Sequence, residues 1–251
     1  MPRYKLTVSY DGTPYCGFQR QINGLSVQQV LEEAAAQFYQ QTLQVVGAGR
    51  TDAGVHALGQ VCHLQLNRAY PPSTIGSALN FYLKDQRVRV VSVEEVPDTF
   101  HARFSALSRR YLYRILNRPA SCPLNLWRTW HIPQELNVSQ IKQAALLLEG
   151  WHDFTTFRSI RCQAHSPIRI LTMLQIQRQE DEVHIWAEAP SFLHNQVRAL
   201  VGTLFLVGCG RWQPDDVTQA LQAKNRSRGG PTAPAHGLYF VKATYPPLKE
   251  C

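Results

Sequence analysis

Apolar and polar residues alternate near the start of the chain and predict a β-strand. The apolar residues occupy every second position: Tyr4, Leu6, Val8 and Tyr10. A period of two is typical of a strand with one face in the core and one facing outward. The pair Asp11-Gly12 is expected to end this strand.

The apolar period changes to that of a helix after Ser26. This serine suits an N-cap, with Gln29 three residues further on. The apolar residues that follow at helical spacing are Val27, Val30, Leu31, Ala34 and Phe38. The segment is therefore predicted to be an amphipathic helix.

Similar patterns along the chain predict the order strand, helix, strand, strand, helix, strand, twice over. The first set continues with strands at 43–46 and 61–66, a helix at 73–82 and a strand at 87–93. The second set has a strand at 110–116, a helix at 141–149 ended by Gly150, strands at 168–177 and 183–189, a helix at 197–207, another opened by Pro214, and a strand at 239–245. This βαββαβ order is that of the ferredoxin-like unit, which many RNA-binding sheets use.

No linker rich in Gly, Pro or Ser separates the two sets, so we place a boundary after Ser105. The predicted halves are residues 1–105 and residues 106–251, both α+β. We expect them to share a continuous interface, and the cleft between them is the natural place for a substrate.

The charge of the chain favours a polyanionic partner. The net charge is +8, with the basic excess spread over all 251 residues. Neutralisation of phosphates by Lys and Arg drives nucleic-acid binding, although an ordinary basic surface would have the same charge. The six cysteines are scattered without a Cys-x-x-Cys pair, so neither structural zinc nor a disulfide framework is expected. Without a leader or a long apolar run, the sequence predicts a soluble cytoplasmic protein that does not associate with membranes.

The run Gly49-Arg50-Thr51-Asp52-Ala53-Gly54-Val55-His56 carries the main candidate for chemistry. Its glycines suit a tight turn, in which the side chains of Arg50 and Asp52 could be directed at one point. A reactive carboxylate could be held in this way. Alternatively, Asp52 could simply cap the turn through its own backbone.

The run resembles the signature of the A-type tRNA pseudouridine synthases, the TruA family. Further matching segments occur in the same order along nearly the whole chain: 10–12, 17–21, 100–106, 110–113, 153–158, 192–198 and 237–239. The resemblance implies an α+β fold in which two ferredoxin-like halves share a central, mostly antiparallel sheet with helices on its outer face. It also implies that uridines at positions 38, 39 and 40 of the tRNA anticodon arm are isomerised, by a homodimer and without a cofactor.

The resemblance assigns the catalytic nucleophile to Asp52 and places Arg50 beside a flipped nucleotide. Arg198 lies in an apolar predicted helix, where a guanidinium would be costly to bury without an anionic partner, and the resemblance implies that this partner is Asp52. Alternatively, Arg198 could emerge into solvent at the helix end. By resemblance, Tyr111 stacks on the flipped uracil and Leu238 contacts the base, although both residues could be ordinary core residues.

Four segments mix basic residues with aromatic or polar ones, and we interpret them as candidate phosphate and stacking contacts: 101–104, 109–111, 157–161 and 224–228. Individually, each segment could be a solvated face. Two departures from the family pattern, Gln196 and Asn225, affect the assignment of RNA contacts. Two other functions remain open: a non-catalytic tandem RNA-binding protein, and a base glycosylase or other hydrolase that would release free uracil.

Overall fold

The computed structural model describes residues 1–247. Its strands are β1 (Arg3–Tyr10), β2 (Val46–Gly47), β3 (His56–Gln65), β4 (Val88–Val96), β5 (Ser108–Leu116), β6 (Trp130–His131), β7 (Gly150–Asp153), β8 (Ile168–Leu171), β9 (Met173–Gln179), β10 (Glu182–Ala189) and β11 (Leu238–Thr244). Its helices are α1 (Val27–Tyr39), α2 (Pro72–Tyr82), α3 (Val138–Leu146), α4 (Gln196–Gly208) and α5 (Pro214–Gln222). The predicted fold class, α+β with mostly antiparallel strands, is confirmed.

The chain forms two compact units. The first comprises Met1–Leu107 together with residues 239–247, and the second is Ser108–Leu238. The junction at Leu107 lies close to the predicted boundary after Ser105. The prediction placed the last strand with the second half, whereas most of that strand belongs to the first unit.

The sheet of the first unit has the strand order of a ferredoxin-like fold. Strand β1 pairs antiparallel with β3 and β4, and β2 pairs with β3, which gives the order β4-β1-β3-β2. Strand β11 also pairs with β3, in parallel, through Tyr239 opposite His56. The alternation in β1 is confirmed because Tyr4, Leu6, Val8 and Tyr10 are all buried. Helix α2 packs against β4 and α1.

The predicted start of α1 is confirmed by its cap. The backbone N–H of Gln29 donates to Ser26 Oγ at 3.2 Å. The apolar positions of the helix face the core, with Phe38 half-buried at its end and the others buried. The spacing of apolar residues therefore predicted this helix correctly.

The strand predicted at 43–46 is wrong in its bounds, since β2 is only Val46–Gly47. Side chains of α1 satisfy the preceding backbone instead. Val45 N donates to Glu32 Oε1 at 3.1 Å, and Gln28 Nε2 donates to Val45 O at 3.0 Å. With its backbone groups bonded to a helix, this segment needs no strand partner.

The second unit contains the antiparallel strands β5, β10 and β9 in that order, with Tyr113 opposite Ile185 and Ile185 opposite Ile176. The strand predicted at 168–177 is interrupted at Thr172, whose N–H and hydroxyl both donate to Glu188 O, at 2.9 and 2.8 Å. The first piece, β8, pairs with β7 instead. Strands β6 and β7 were not predicted.

The helix predicted at 141–149 is shifted toward the N-terminus. Asn137 caps it by accepting from Gln140 N at 3.1 Å, so α3 begins at Val138 and ends at Leu146. Gly150 does not terminate it but begins β7, with φ +106°. A side-chain cap thus set the start of the helix where apolar spacing alone did not.

Because His63 in β3 is buried, we expect the free energy of unfolding to decrease in acid. Its Nδ1 accepts from Ala102 N at 3.1 Å. Burial, followed by the positive charges of His101 and Arg3, lowers the pKa of His63 to about 4. Because the folded pKa lies below the unfolded value near 6.5, the stabilisation is complete above pH 6.5 and is lost as the pH falls toward 4.

We expect this loss to be roughly 3 kcal/mol at most. The measurement is the free energy of unfolding in urea at pH 7 and pH 4.5, for the wild type and for His63→Asn. Asparagine keeps an acceptor for Ala102 N but does not titrate, so the variant should lose less stability between the two pH values. An equal loss in both proteins would contradict the assignment.

Candidate active site

The loop that carries Asp52 is a tight turn, as the sequence predicts. Gly54 has φ +78°, a conformation that suits glycine. The N–H of Val55 donates to the carbonyl of Asp52 at 3.1 Å and closes the turn. Asp52 is half-buried, Thr51 is buried and Arg50 is exposed. The carboxylate therefore lies at the edge of solvent, on a backbone fixed by its own turn.

A second segment lies against this turn. Gly17 forms an isolated antiparallel bridge with Asp52, and Phe18 N donates to Thr51 O at 3.0 Å. Gly17 has φ +117°, and a Cβ there would lie 2.7 Å from Thr51 O. Only glycine permits this approach without a shift of the backbone. The segment 17–21, recognised as a separate motif, thus lies directly beside the nucleophile candidate.

Buried polar side chains anchor the loop on either side of Asp52. The hydroxyl of Tyr10 shares a hydrogen bond with Thr51 Oγ1 at 2.8 Å. Gln60 Nε2 donates to Gly49 O at 3.0 Å from a fully buried position. These contacts fix the backbone of the loop and therefore the position of the Asp52 carboxylate, as a reacting group requires.

In the second unit, Arg198 lies in the first turn of α4 and is half-buried. Its Nε donates to Ala233 O at 2.8 Å, and its Nη1 donates to Asn195 Oδ1 at 3.1 Å. The carbonyl of Arg198 in turn accepts from Ala233 N at 3.0 Å. The stem of this guanidinium is thus fixed to the segment that precedes β11.

Tyr111 and Leu238 also belong to the second unit, and both are buried. The ring of Tyr111 meets Phe192 edge to face, with 5.2 Å between the centroids. Leu238 follows Gly237, where a Cβ would come within 2.6 Å of the Tyr113 ring. No pattern of apolar residues in the sequence indicates this packing.

Tyr113 ties the same segment to β5. Its hydroxyl donates to Pro234 O at 2.8 Å, and burial raises its pKa above the ordinary value although the charge of Arg198 acts in the opposite direction. Residues 230–237 therefore link Arg198, through Ala233, to the position of Leu238. Of the predicted site residues, Asp52 and Arg50 lie in the first unit, and Tyr111, Arg198 and Leu238 lie in the second.

The candidate phosphate contacts differ in their surroundings. Arg110 pairs with Glu188, and Lys224 lies 3.5 Å from Asp153 Oδ2. In the segment 101–104, Phe104 is 75% exposed and the guanidinium of Arg103 lies 5.5 Å from the centroid of its ring. This second pair presents both an aromatic face and a charge.

Among residues 1–247, no group of three or more His, Cys, Asp or Glu side chains is arranged to hold a metal ion. No helix in this described part of the chain has the length and apolar character needed to cross a membrane.

Comparison with known proteins gives consistent matches. A family described as tRNA pseudouridine synthase matches residues 6–105 and 144–246. A protein named tRNA pseudouridine synthase A from Rhodospirillum centenum is 55% identical over 245 residues, which cover 98% of this chain and 100% of the relative. Relatives of the same name from Paramagnetospirillum magneticum and Rhodopseudomonas palustris are each 51% identical over 245 residues, covering 98% of this chain and 96% and 100% of the relatives.

Proposed function

Because the chain belongs to the tRNA pseudouridine synthase family, we propose that it isomerises uridines 38, 39 and 40 of the tRNA anticodon arm, with Asp52 as the nucleophile. Family membership makes it an isomerase. The position of Asp52 carries the proposal for this chain: a half-buried carboxylate on a turn closed by Val55 and braced by Gly17 and Phe18.

The reaction breaks the bond between C1′ and N1 of uridine, turns the base and joins C1′ to C5. It involves no net oxidation or reduction. A carboxylate can attack C1′, or it can take a proton from the sugar if the base leaves by elimination. Either route needs the carboxylate to be ionised and held at a fixed place, which the anchored turn supports.

The other site residues have roles around the reacting nucleotide. Arg198 is proposed to pair with the carboxylate and orient it through charge-assisted hydrogen bonds. Tyr111 stacks on the extruded uracil, its hydroxyl assists proton removal at C5, and Leu238 packs on the base. Arg50 holds the extruded conformation. Stacking and new hydrogen bonds must offset the few kcal/mol that base flipping costs.

One assay tests this function against the two alternatives. Unmodified tRNA is incubated with the protein, pseudouridine is mapped chemically, and free uracil is measured. Pseudouridine at positions 38–40 is the expected result. Binding without product would indicate a non-catalytic RNA-binding protein, and free uracil with an abasic site would indicate a glycosylase. Substrates with uridine at only one position then show which of the three sites are modified.

We further propose that the protein acts in the cytoplasm as a homodimer that contacts one tRNA with both subunits. Sedimentation with and without tRNA tests the stoichiometry. A complex of two chains and one tRNA is expected, and a complex of one chain with one tRNA would contradict the proposal.

Arg103 and Phe104 are proposed to contact tRNA away from the flipped base. Hydrogen bonds fix their turn: Arg103 N and Phe104 N donate to His101 Nδ1 at 3.2 and 3.3 Å. The turn is held to β3 by the hydrogen bond that Ala102 N donates to His63. His63 lies seven residues beyond His56 in β3, roughly 24 Å along the strand, so the turn lies far from the end of β3 that adjoins the Asp52 loop. A fixed, exposed aromatic ring with an adjacent cation suits stacking on an unpaired base.

Phe104→Ala is therefore expected to weaken tRNA binding about 5- to 100-fold, with kcat unchanged. Arg103→Gln should reduce the salt dependence of binding by about one phosphate contact. Phe81→Ala is a matched control, since Phe81 is 65% exposed and has Lys84 Nζ 5.9 Å from its ring centroid. Equal losses in the Phe81 and Phe104 variants, or a dimer that dissociates in the latter, would contradict the assignment.

A further inference from the structure

His56 ends the glycine-rich run, and no step of the proposed reaction uses it. It begins β3, is 2% exposed, and stacks on Tyr239 with 4.8 Å between the ring centroids. A buried neutral imidazole carries its proton on one nitrogen and accepts a hydrogen bond at the other, so the tautomer follows from the neighbours. The neighbours of Nδ1 are therefore informative.

Two groups from the end of β1 face His56 Nδ1. The N–H of Gly12 lies 3.0 Å away and donates to it, and Asp11 Oδ1 lies 3.2 Å away. An unprotonated Nδ1 can accept from Gly12, whereas a protonated Nδ1 would have to donate to Asp11 and leave the Gly12 N–H facing another donor. One nitrogen cannot play both roles at once.

The surroundings of Asp11 favour the acceptor role. Its Oδ1 already accepts from the N–H and the hydroxyl of Thr13, at 3.0 and 2.6 Å, and its Oδ2 accepts from Arg87 at 3.0 Å. Burial acts to raise the pKa of Asp11, and hydrogen bonds, those from Thr13 first, act against it, so that the pKa is lowered. The carboxylate is thus satisfied without an imidazole proton, which leaves that proton on Nε2 of His56.

Gly12 in turn lies against the turn that presents Asp52. A Cβ on Gly12 would be only 2.0 Å from Val55 O and 3.1 Å from Gly54 C. Val55 is the residue whose N–H closes the turn on the Asp52 carbonyl. Gly12 therefore lies tightly against this turn, so a displacement of Gly12 toward Val55 would move the backbone on which Asp52 is held.

We propose that His56 is a positioning residue for Asp52: its neutral ring, accepting at Nδ1, holds Gly12 against the turn that presents the carboxylate. The inference rests on the proposed role of Asp52. It assigns a task to a histidine that has no metal-ligand spacing and no part in the proposed chemical steps. It also explains why the motifs at 10–12 and 49–56 occur together, since the imidazole joins them.

The test compares two substitutions at His56. Asparagine can place Oδ1 near the position of Nδ1 and accept from Gly12 N–H, whereas phenylalanine keeps an aromatic ring over Tyr239 but has no acceptor. We expect His56→Phe to lower kcat about 10- to 100-fold with KM within threefold, and His56→Asn to retain most of the wild-type kcat. Equal losses in the two variants, or full kcat in His56→Phe, would overturn the proposal.

A spectroscopic measurement on the wild type keeps the proposal testable if a variant fails to fold. Nitrogen-15 NMR of the histidine rings distinguishes a protonated Nδ1 from an unprotonated one. Nδ1 of His56 is expected to be unprotonated at neutral pH, and a protonated Nδ1 would refute the acceptor role. If the wild type makes no pseudouridine, the proposed function fails, while the NMR result still decides the hydrogen bond.

Discussion

Asp52→Asn is expected to abolish pseudouridine formation, with kcat reduced by about 10⁴-fold or more, the scale found when a catalytic nucleophile is removed. Asparagine has nearly the shape of aspartate, so the turn closed by Val55 N should persist. The amide cannot attack C1′ as a carboxylate does, nor can it serve as a base for elimination. The measurement is the single-turnover rate of pseudouridine formation in unmodified tRNA.

Binding must survive for this result to concern chemistry. The dissociation constant for tRNA should stay within a few fold, because the surrounding basic residues are unchanged and removing one negative charge does not weaken attraction to phosphate. Asp98→Asn is a matched control, since Asp98 is exposed in the turn after β4 and should retain full activity. Pseudouridine made by the Asn variant at the wild-type rate would show that another group is the nucleophile.

Much of the first unit could be predicted because its signals are local. The alternation in β1 and the Ser26 cap of α1 each depend on residues close in sequence, and both are confirmed. Local patterns also placed α2 of this unit, and β5 of the second unit, within two residues of their observed starts. Where buried positions repeat with a fixed period, the sequence alone predicts the helix or strand.

Two of the errors occur where a residue distant in the sequence supplies the hydrogen-bond partner. Glu32 and Gln28 bond Val45, so the segment before β2 is not a strand. Glu188 O accepts hydrogen bonds from both the N–H and the hydroxyl of Thr172, and the strand predicted at 168–177 is interrupted at this residue. Neither contact leaves a periodic trace, because the partners lie 13 or more residues away.

The candidate site was predicted unevenly for the same reason. The glycines around Asp52 predicted a tight turn, which is confirmed by the positive φ of Gly54. The approach of Gly12 to Val55 and the contact between Tyr113 and Gly237 join residues at least 43 positions apart. Such contacts depend on the assembled fold, and His56 was therefore given no role from sequence alone.

Gly202→Ala is expected to have the largest effect on stability. Gly202 lies inside α4, and a Cβ there would be 1.7 Å from Pro231 O and 2.8 Å from Pro231 C. Both atoms belong to the backbone, so α4 and the segment 230–237 must separate. We expect a loss of about 3 kcal/mol or more, which exceeds the gain of about 1 kcal/mol that alanine brings to a helix interior.

The same displacement should reach the site residues of the second unit. Ala233, two residues after Pro231, exchanges hydrogen bonds with Arg198, and Gly230 N donates to Thr203 Oγ1 at 2.9 Å. If the segment moves away from α4, Arg198 loses the carbonyl that fixes its Nε. We therefore expect kcat to fall at temperatures where the variant is still folded, by about 10-fold or more.

Thermal unfolding and kcat, both measured on the full chain, check these expectations, with Gly76→Ala as the matched control. Gly76 also lies inside a helix, but among residues 1–247 a Cβ there would meet only Val93 Cγ2, at an ordinary 3.5 Å. The control should gain up to about 1 kcal/mol, whereas Gly202→Ala should melt at least about 6 °C below the wild type. Similar melting of both variants would mean that the segment 230–237 adapts without cost, and that Arg198 does not depend on it.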